Sequence, residues 1–366
     1  MTSNKIHYYN IKEDLVKYPD AWCYVIIGGR ARGKTYSTLL SCLQDQRDFI
    51  FLKRTIDDVE LLTSGAGKAG SASEIEVELS PFKAINRDHK TDIHAYSIKR
   101  GLGGFWVRDP ETGKASGAPV GYLLALNAVT KYKGFELASG KPEQWLIFDE
   151  FIPNIYDRVN RREGEQLLDL YMTVSRDREA RGLQPLKLIL LANATSINNP
   201  VMSMLEIVDT VAAMQAGGEH ELYIQDRGIY VNQIADDPGF SEVVSRSSIY
   251  KAMNNTQWGR MSFDNVFAYN DFSAVGKINL KGFRPFCRYV YKNQCVYIYV
   301  RDGYYYACSS RHNSPECFDL EKENDQKLFW LQYAYDLRIA CIEHRMLFET
   351  YTMYDLIVNY RKVFHL

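Results

Sequence analysis

The sequence predicts a mostly parallel α/β sheet with helices on both faces, followed by a separate α+β domain. Apolar runs of strand length alternate with helical patterns over roughly the first 240 residues, and Tyr-rich segments of alternating polarity begin near residue 272. The length of 366 residues allows for two domains at about 150 residues each. We predict an α/β domain over residues 1–240, a polar helical linker over 241–271 and an α+β domain over 272–366.

Short apolar runs predict the buried strands of the first domain, because such runs are typical of parallel sheets covered on both faces. They cover residues 22–27, 49–52, 145–148 and 186–192. A helical pattern follows the first run through Leu39, Leu40 and Leu43, and another covers residues 163–178.

The segments between these strands differ in character. Residues 63–73 are small and Gly-rich, which indicates a flexible surface loop. Residues 98–126 read as antiparallel strands, with Gly-rich turns at 101–104 and 109–117.

The second domain opens on three alternating runs, at residues 288–291, 296–300 and 304–306. Lys292-Asn293 and Asp302-Gly303 separate them, and Asp-Gly is a strong hairpin signal. A long helical pattern follows over about residues 325–345, with a shorter one near Tyr354.

Composition excludes two broad classes of protein. The 44 Lys and Arg nearly balance the 45 Asp and Glu, so this is not a protein that coats nucleic acid by bulk charge, and any nucleic acid must be gripped locally. A hydrophobic content of 46% excludes a disordered acidic chain. The polar N-terminus and the lack of a long apolar run lead us to expect a soluble, intracellular protein without membrane contact.

The seven cysteines form no CxxC pair, which favours reduced thiols. Four of the five cysteines of the second domain, together with one of its histidines, raise the alternative of a zinc site. Their long, irregular spacing within alternating segments favours core thiols instead. These residues are Cys287, Cys295, Cys308, Cys317 and His312.

The first strand leads into a phosphate-binding loop of the pattern GxxxxGK(S/T), which predicts an ATP site. Its backbone N–H groups turn toward the phosphates, Lys34 reaches the β- and γ-phosphates, and the Thr35 hydroxyl binds Mg²⁺. The candidate nucleotide-binding residues of the loop are Gly28, Gly29, Arg30, Ala31, Arg32, Gly33, Lys34 and Thr35. A second Gly-Lys sequence, at 65–71, has no strand before it and no helix after it, so we interpret it as a loop.

A second motif ends the strand at 145–148, where Asp149 and Glu150 form a Walker B pattern. Asp149 is the candidate Mg²⁺ ligand, acting through its water shell. Glu150 is the candidate base that orients and polarises the attacking water. A second carboxylate at this point favours hydrolysis over transfer to a small acceptor.

Hydrolysis also needs positive charge on the transition state, and residues 171–181 are rich in arginine. From spacing alone, a solvated helix end is the simpler interpretation of that segment. Lys131 and Lys133 are, by themselves, ordinary surface lysines. Asn193, which ends the last apolar strand, either senses the γ-phosphate or simply ends the strand.

Five blocks of sequence resemble the DNA-packaging ATPases of phi29-type phages, and they occur in that family's order. The last three blocks are much more specific than the two Walker motifs. The blocks are IIGGRARGKTYS at 26–37, LIFDEFI at 146–152, YMTVSRDRE at 171–179, LLANATSINNP at 190–200 and WGRMSFDNVF at 258–267.

The resemblance implies roles that spacing alone does not assign. Arg176 matches the arginine finger that reaches a neighbouring subunit's site, with Arg178 as the alternative. Lys133 lies near the family's second trans-acting basic residue, with Lys131 as the alternative. Asn193 matches the residue that links the nucleotide to neighbouring motion.

The resemblance also implies the fold and the partners. The fold is a P-loop NTPase of the additional-strand, catalytic-glutamate class, followed by a helical linker and a ribonuclease-H-like domain. Because the first two strands of that domain contain no Asp or Glu, we expect it to lack nuclease activity. The implied partners are double-stranded DNA, the portal of the procapsid and other copies of the chain in a ring of about five by family resemblance, acting in the host cytoplasm. Whether a packaging RNA joins is left open.

Two functions follow from the sequence. The first is an ATP-driven translocase of viral DNA into a procapsid. The alternative is an ATP-switched loader or scaffold that moves nothing. Arg158, Arg161 and Arg162 are candidates for a ring-lining basic cluster, although a solvated loop explains them equally well. A small-molecule kinase is disfavoured by Glu150 and by the large second domain.

Overall fold

The computed structural model describes residues 7–65, 79–137, 143–154, 159–235, 237–256, 259, 262, 267, 272–314 and 316–366. The chain forms two compact units. The first comprises residues 1–205 and 218–269, and the second comprises 206–217 and 270–366. Most of the predicted loop at 63–73, nearly all of the second Gly-Lys sequence, Arg158 and most of the block at 258–267 lie outside the described residues.

Within its described residues the first unit has one nine-stranded sheet of mixed direction. The strands run in the order β3-β4-β5-β2-β6-β7-β1-β9-β8. From β5 to β9 all neighbours are parallel, and the pairs β3–β4, β4–β5 and β8–β9 are antiparallel. The strands are β1 (Cys23–Ile27), β2 (Asp48–Lys53), β3 (Ile93–Lys99), β4 (Leu102–Arg108), β5 (Ala115–Ala125), β6 (Gln144–Asp149), β7 (Lys187–Ala192), β8 (Glu221–Ile224) and β9 (Ile229–Gln233).

Helices connect the parallel strands, as βαβ crossovers require. In the first unit they are α1 (Ile11–Lys17), α2 (Lys34–Gln44), α3 (Ile56–Ser64), α4 (Lys83–His89), α5 (Glu163–Ser175), α6 (Pro200–Met204), α8 (Pro238–Ser245) and α9 (Ser248–Met253). Helix α7 (Val208–Ala216) belongs to the second unit. Three short 3₁₀ helices lie among the described residues at Leu126–Tyr132, Glu179–Arg181 and Gln225–Arg227.

The predicted parallel strands are confirmed, and burial explains why they could be found. All five residues of β1 are buried, as are the four central residues of β2. The antiparallel strands predicted within residues 98–126 are also confirmed. The first Gly-rich turn is shorter than predicted, because Gly103 and Gly104 lie inside β4. A Cβ at Gly103 would lie 2.8 Å from the carbonyl oxygen of Tyr96 on the neighbouring strand.

The second unit has a five-stranded sheet within its described residues, in the order β13-β10-β11-β12-β14. Strands β10, β11 and β12 form the predicted antiparallel meander, and β13 and β14 add parallel edges. Both predicted hairpin turns are confirmed, since Lys292, Asn293, Asp302 and Gly303 all have positive φ. The strands are β10 (Arg284–Tyr291), β11 (Gln294–Arg301), β12 (Tyr304–Cys308), β13 (Cys317–Asp319) and β14 (Met346–Phe348).

Helices pack on one face of this sheet and bury an aromatic core that includes Tyr289, Phe329 and Tyr360. The predicted long helix is present as α10 (Glu323–Phe329), a π turn (Trp330–Ala334) and α11 (Tyr335–Ile342). It is followed by α12 (Tyr351–Val358) and α13 (Tyr360–Phe364).

The cysteines of this unit follow the core prediction only in part. Cys287 and Cys308 are buried and Cys295 is half-buried. The prediction is wrong for Cys317, which is exposed because it begins the edge strand β13. Within the described part of the chain, no helix is long and apolar enough to span a membrane. The domain limits that we expect at residues 240 and 271 stay predictions.

Candidate functional site

The phosphate-binding loop joins β1 to α2 with little free space around its backbone. Gly33 has φ +88°, a left-handed conformation that favours glycine at the start of α2. A Cβ at Gly28 would lie 2.7 Å from the side chain of Ile234, and one at Gly29 would lie 2.8 Å from the carbonyl oxygen of Ser262. Close packing at Gly28 and Gly29 and the left-handed backbone at Gly33 therefore explain why glycine occupies these three positions.

Lys34 begins α2 and is buried. Its Nζ donates hydrogen bonds to the carbonyl oxygens of Gly28 at 2.7 Å and Gly29 at 2.8 Å, and to Oδ1 of Asn193 at 3.2 Å. Burial lowers the pKa of Lys34 to about 8, although the carboxylate of Asp149 opposes the shift. Lys34 and Asn193 thus meet, because β7 ends beside β1.

Thr35 and Asp149 also come together, as the sequence predicts. The Thr35 hydroxyl donates to Asp149 Oδ1 at 2.9 Å. A hydroxyl and a carboxylate oxygen side by side are ligands that Mg²⁺ prefers. The donor set of Thr35 and Asp149 therefore fits this ion.

Glu150 follows β6 in a left-handed backbone conformation, with φ +60°. Its side chain is 61% exposed, so the carboxylate is accessible to water. Lys53, at the end of β2, lies between the two acidic residues, with Nζ 3.3 Å from Asp149 Oδ2 and 3.5 Å from Glu150 Oε2. The charges of Asp149 and Glu150 outweigh the effect of burial and raise the pKa of Lys53.

These groups surround one cleft of about 370 Å³ at the carboxyl ends of β1, β6 and β7. Its described lining comprises Arg30, Ala31, Arg32, Gly33, Lys34, Thr35, Tyr36, Asp149, Glu150, Ala192 and Asn193. The guanidinium of Arg32 is buried and stacks 4.0 Å from the ring centroid of Phe240. The arrangement offers backbone amides and an ammonium for phosphate, oxygen ligands for a divalent cation and an exposed carboxylate for water.

Arg176 and Arg178, the two candidate arginine fingers, have different environments. Arg176 ends α5 with φ +43° and ψ −125°, and its partly exposed guanidinium donates to Glu136 at 3.1 Å. Arg178 is buried and donates to the side-chain oxygen of Gln144 at 2.6 Å and to the carbonyl of Gln184 at 3.2 Å. Arg178 is therefore built into its own subunit, whereas Arg176 is accessible.

The remaining basic candidates that fall within the described residues are exposed. Lys131 lies in the 3₁₀ helix that follows β5, and Lys133 comes directly after that helix. Arg162 precedes α5 and is 80% exposed on its side chain. Arg176 and Lys133 are not among the described residues that line the cleft.

Sequence reasoning assigned no role to three residues of the site, which are Lys53, Arg54 and Ser262, although Ser262 lies in the block at 258–267. Lys53 ends β2 and Arg54 follows it, and β2 neighbours β6; the carboxyl ends of parallel strands share one edge of the sheet. That rule could have indicated them. The Ser262 carbonyl accepts a hydrogen bond from the Arg30 amide at 3.2 Å, a contact that no local pattern indicates.

Comparison with known proteins gives a family and a fold. Residues 133–337, more than half of the chain, match the model of the podovirus DNA encapsidation protein (Gp16) family. The chain is similar in structure to one in the bacteriophage Phi-29 viral genome packaging motor assembly, with 19% identity, a TM-score of 0.63 and coverage of 97% of this chain and 98% of that one. It is also similar to the Phi-28 gp11 DNA packaging motor, with 18% identity, a TM-score of 0.59 and 98% coverage of both. No curated protein matches. The two likenesses show a P-loop ATPase fold with a mixed sheet.

Proposed function

The chain belongs to the family of podovirus DNA encapsidation proteins (Gp16), and we propose on that premise that it is an ATP-hydrolysing motor that translocates double-stranded viral DNA into a procapsid. The observation that carries the proposal is the meeting of Lys34, Thr35 and Asp149 with the exposed carboxylate of Glu150 in one cleft. Phosphate binding and a solvent-accessible carboxylate that can act as a general base at one place are what hydrolysis of a nucleoside triphosphate requires.

Different residues of the cleft bind the phosphates, hold the metal ion and activate water. The loop amides and the N-terminal end of α2 bind the phosphates, and Lys34 neutralises their charge. Thr35 and Asp149 would hold Mg²⁺, which when bound supplies positive charge to the phosphate oxygens. Glu150 orients a water molecule and accepts its proton, because its carboxylate is accessible and adjoins the cleft.

A second subunit completes the site in this proposal. Arg176 supplies an arginine finger to the neighbouring site, and Lys133 is the second trans-acting residue, with Lys131 as its alternative. The accessible guanidinium of Arg176 supports this assignment, as does the burial of its alternative Arg178. An arginine finger contributes about 10³–10⁵ in rate, so an isolated subunit is expected to hydrolyse ATP slowly.

We further propose the additional-strand, catalytic-glutamate class of ATPase, which the position of β7 between β1 and β6 supports. We also propose a ribonuclease-H-like second domain without nuclease activity. The antiparallel meander β10–β11–β12, with β13 parallel to β10, supports that topology. The proposed partners are the procapsid portal and further copies of the chain in a ring of about five, in the host cytoplasm, with or without a packaging RNA.

ATPase turnover separates this function from an ATP-switched loader. We expect steady hydrolysis that increases when double-stranded DNA and procapsids are both present. A loader would turn over roughly once per assembly event and would ignore added DNA. A rate that DNA and procapsids leave unchanged would contradict the proposed motor.

A further inference from the structure

The guanidinium of Arg54, just beyond β2, connects the segment after β6 to the first residue of α5. Its Nε donates to Glu163 Oε2 at 2.8 Å, and its Nη2 donates to Glu163 Oε1 at 3.2 Å. The same Nη2 also donates to the carbonyl oxygens of Glu150 and Phe151, each at 3.0 Å. The Arg54 side chain therefore fixes the main chain at Glu150, the candidate catalytic residue.

The backbone conformation of Glu150 has to be stabilised by neighbouring groups. Its left-handed conformation is unfavourable for a non-glycine residue and persists only where surrounding contacts enforce it. Arg54 fixes the carbonyl of Glu150, and the next amide, that of Phe151, donates to the carbonyl of Leu191 at 3.1 Å. Because the Cα–Cβ bond is fixed relative to the backbone, these contacts set the direction in which the Glu150 side chain leaves the main chain.

Glu163 fixes the orientation of the Arg54 guanidinium. Its side chain is only 2% exposed and that of Arg54 is 14% exposed, so solvent weakens their ion pair little. Two parallel N–H···O bonds fix the plane of a guanidinium, which a lysine ammonium cannot reproduce. Removal of the Arg54 guanidinium would also leave the buried Glu163 carboxylate without this partner.

We propose that Arg54, fixed by Glu163, is a positioning residue that holds the Glu150 backbone in its left-handed conformation and so aims the carboxylate at the attacking water. The inference rests on the proposed function, in which Glu150 activates water. Arg54 does not line the nucleotide cleft among the described residues. Its loss should therefore lower kcat and leave nucleotide affinity unchanged.

The chain offers a matched control at the opposite ends of the same two strands. Arg47 precedes β2 and Glu143 precedes β6, and they form an ion pair in which Arg47 Nε lies 2.6 Å from Glu143 Oε2. The Arg47 side chain is 14% exposed, the same fraction as that of Arg54. Arg47→Gln thus breaks a comparable pair far from the cleft.

The experiment compares Arg54→Gln, Arg54→Lys and Glu163→Gln with Arg47→Gln in the full-length protein. The readouts are kcat, the Kd of a fluorescent ATP analogue with Mg²⁺, and the melting temperature. We expect kcat to fall about tenfold or more in the first three variants, which is part of the 10²–10⁴-fold rate enhancement that a general base contributes. The Kd of these variants should stay within about twofold of the wild-type value. Arg47→Gln should retain wild-type kcat. If Arg54→Gln does not fold, Arg54→Lys and Glu163→Gln provide the same test.

A double variant separates positioning from a general loss of structure. If Arg54 acts through Glu150, Arg54→Gln should slow the Glu150→Gln protein no further. Additive losses, or a kcat equal to that of Arg47→Gln, would overturn the proposal. Equal kcat in the wild type and in Glu150→Gln would instead contradict the proposed function itself, so the two failures are distinguishable.

Discussion

The Lys34 ammonium lies 3.2 Å from the side-chain oxygen of Asn193. This contact connects the phosphate-binding loop, which follows β1, to the end of the neighbouring strand β7. Because the phosphates of ATP compete for the same ammonium, we infer that Asn193 responds to whether a γ-phosphate is present. The segment that leads from β7 to α7 begins at this residue.

Replacement of Asn193 should therefore separate binding from turnover. We expect Asn193→Ala to change the Kd for ATP by less than about threefold and to lower kcat about tenfold, since Lys34 keeps its loop contacts while the sensor is lost. Stopped-flow binding and steady-state hydrolysis measure the two quantities. Asn198→Ala, on the exposed part of the same segment, is the matched control and should behave as wild type. A loss of affinity without a loss of kcat would be inconsistent with a sensor.

The pKa of Lys34 predicts how nucleotide affinity depends on pH. Burial lowers that pKa to about 8, so the charged ammonium is present below pH 8 and is lost as the pH rises above it. Bound phosphate favours the charged form, and a proton is therefore taken up on binding at pH 8 and above. We expect the Kd for ATP to increase above about pH 8, by at most about tenfold per pH unit.

Calorimetry in two buffers of different ionisation enthalpy measures this proton uptake directly. Uptake should be near zero at about pH 6.5 and should rise toward one proton per site above about pH 8.5. A Kd that is constant from about pH 7 to about pH 9.5, or release of protons on binding, would show that Lys34 remains charged throughout.

Arg176 should act on the neighbouring subunit and not on its own. Arg176→Ala and Glu150→Gln each remove one half of a shared site. Mixed rings should contain some sites in which both halves are intact, and we expect their ATPase rate to exceed that of either variant alone. Titration of one variant into the other, at a fixed total protein concentration, measures the recovery.

The control for this mixture is Arg181→Ala, which changes an exposed arginine of the same segment. Its activity should match that of the wild type. Absence of any recovery in the mixed rings, under conditions where wild-type rings assemble, would count against a trans-acting Arg176.

Arg178 is expected to matter for stability. Its buried guanidinium donates to Gln144 and to the carbonyl of Gln184, and hydrogen bonds to charged groups contribute about 1.5–3 kcal/mol. We expect Arg178→Ala to lower the free energy of unfolding by about 2 kcal/mol in urea denaturation. Arg181→Ala should change it by less than about 0.5 kcal/mol, as is usual at exposed positions. An Arg178→Ala protein that keeps its stability but gives no recovery of ATPase activity in mixed rings would instead indicate that Arg178 is the arginine finger.

Local patterns predicted the parts of the fold that depend on neighbours in sequence. The strand at β1, its glycine loop and α2 follow one another directly, so Gly28 to Thr35 could be placed from sequence alone. The turn at Asp302-Gly303 is equally local, since positive φ at both positions is what a tight hairpin turn needs. Asp149 could be paired with Thr35 because Asp149 ends β6 and Thr35 lies at the start of the helix that follows β1, so both lie at the carboxyl edge of the parallel sheet.

Features that depend on distant pairing escaped prediction. Lys53 and Arg54 bind groups about a hundred residues away, and nothing beside them in sequence indicates those partners. The burial of Arg178 rests on Gln144, which begins β6. The inclusion of α7 in the second unit likewise depends on packing against residues far along the chain, which its own short sequence does not indicate.

The central claim is that hydrolysis by Glu150 moves DNA into a procapsid, and one packaging assay tests it most directly. Purified procapsids, viral DNA, ATP and either wild-type or Glu150→Gln protein are incubated, and the DNA that survives nuclease treatment is measured. We predict that the wild type protects full-length DNA and that Glu150→Gln, which still binds ATP, protects none. The claim would be contradicted if the two proteins protected equal amounts of DNA. It would also be contradicted if a wild-type protein that hydrolyses ATP in the presence of procapsids protected no DNA.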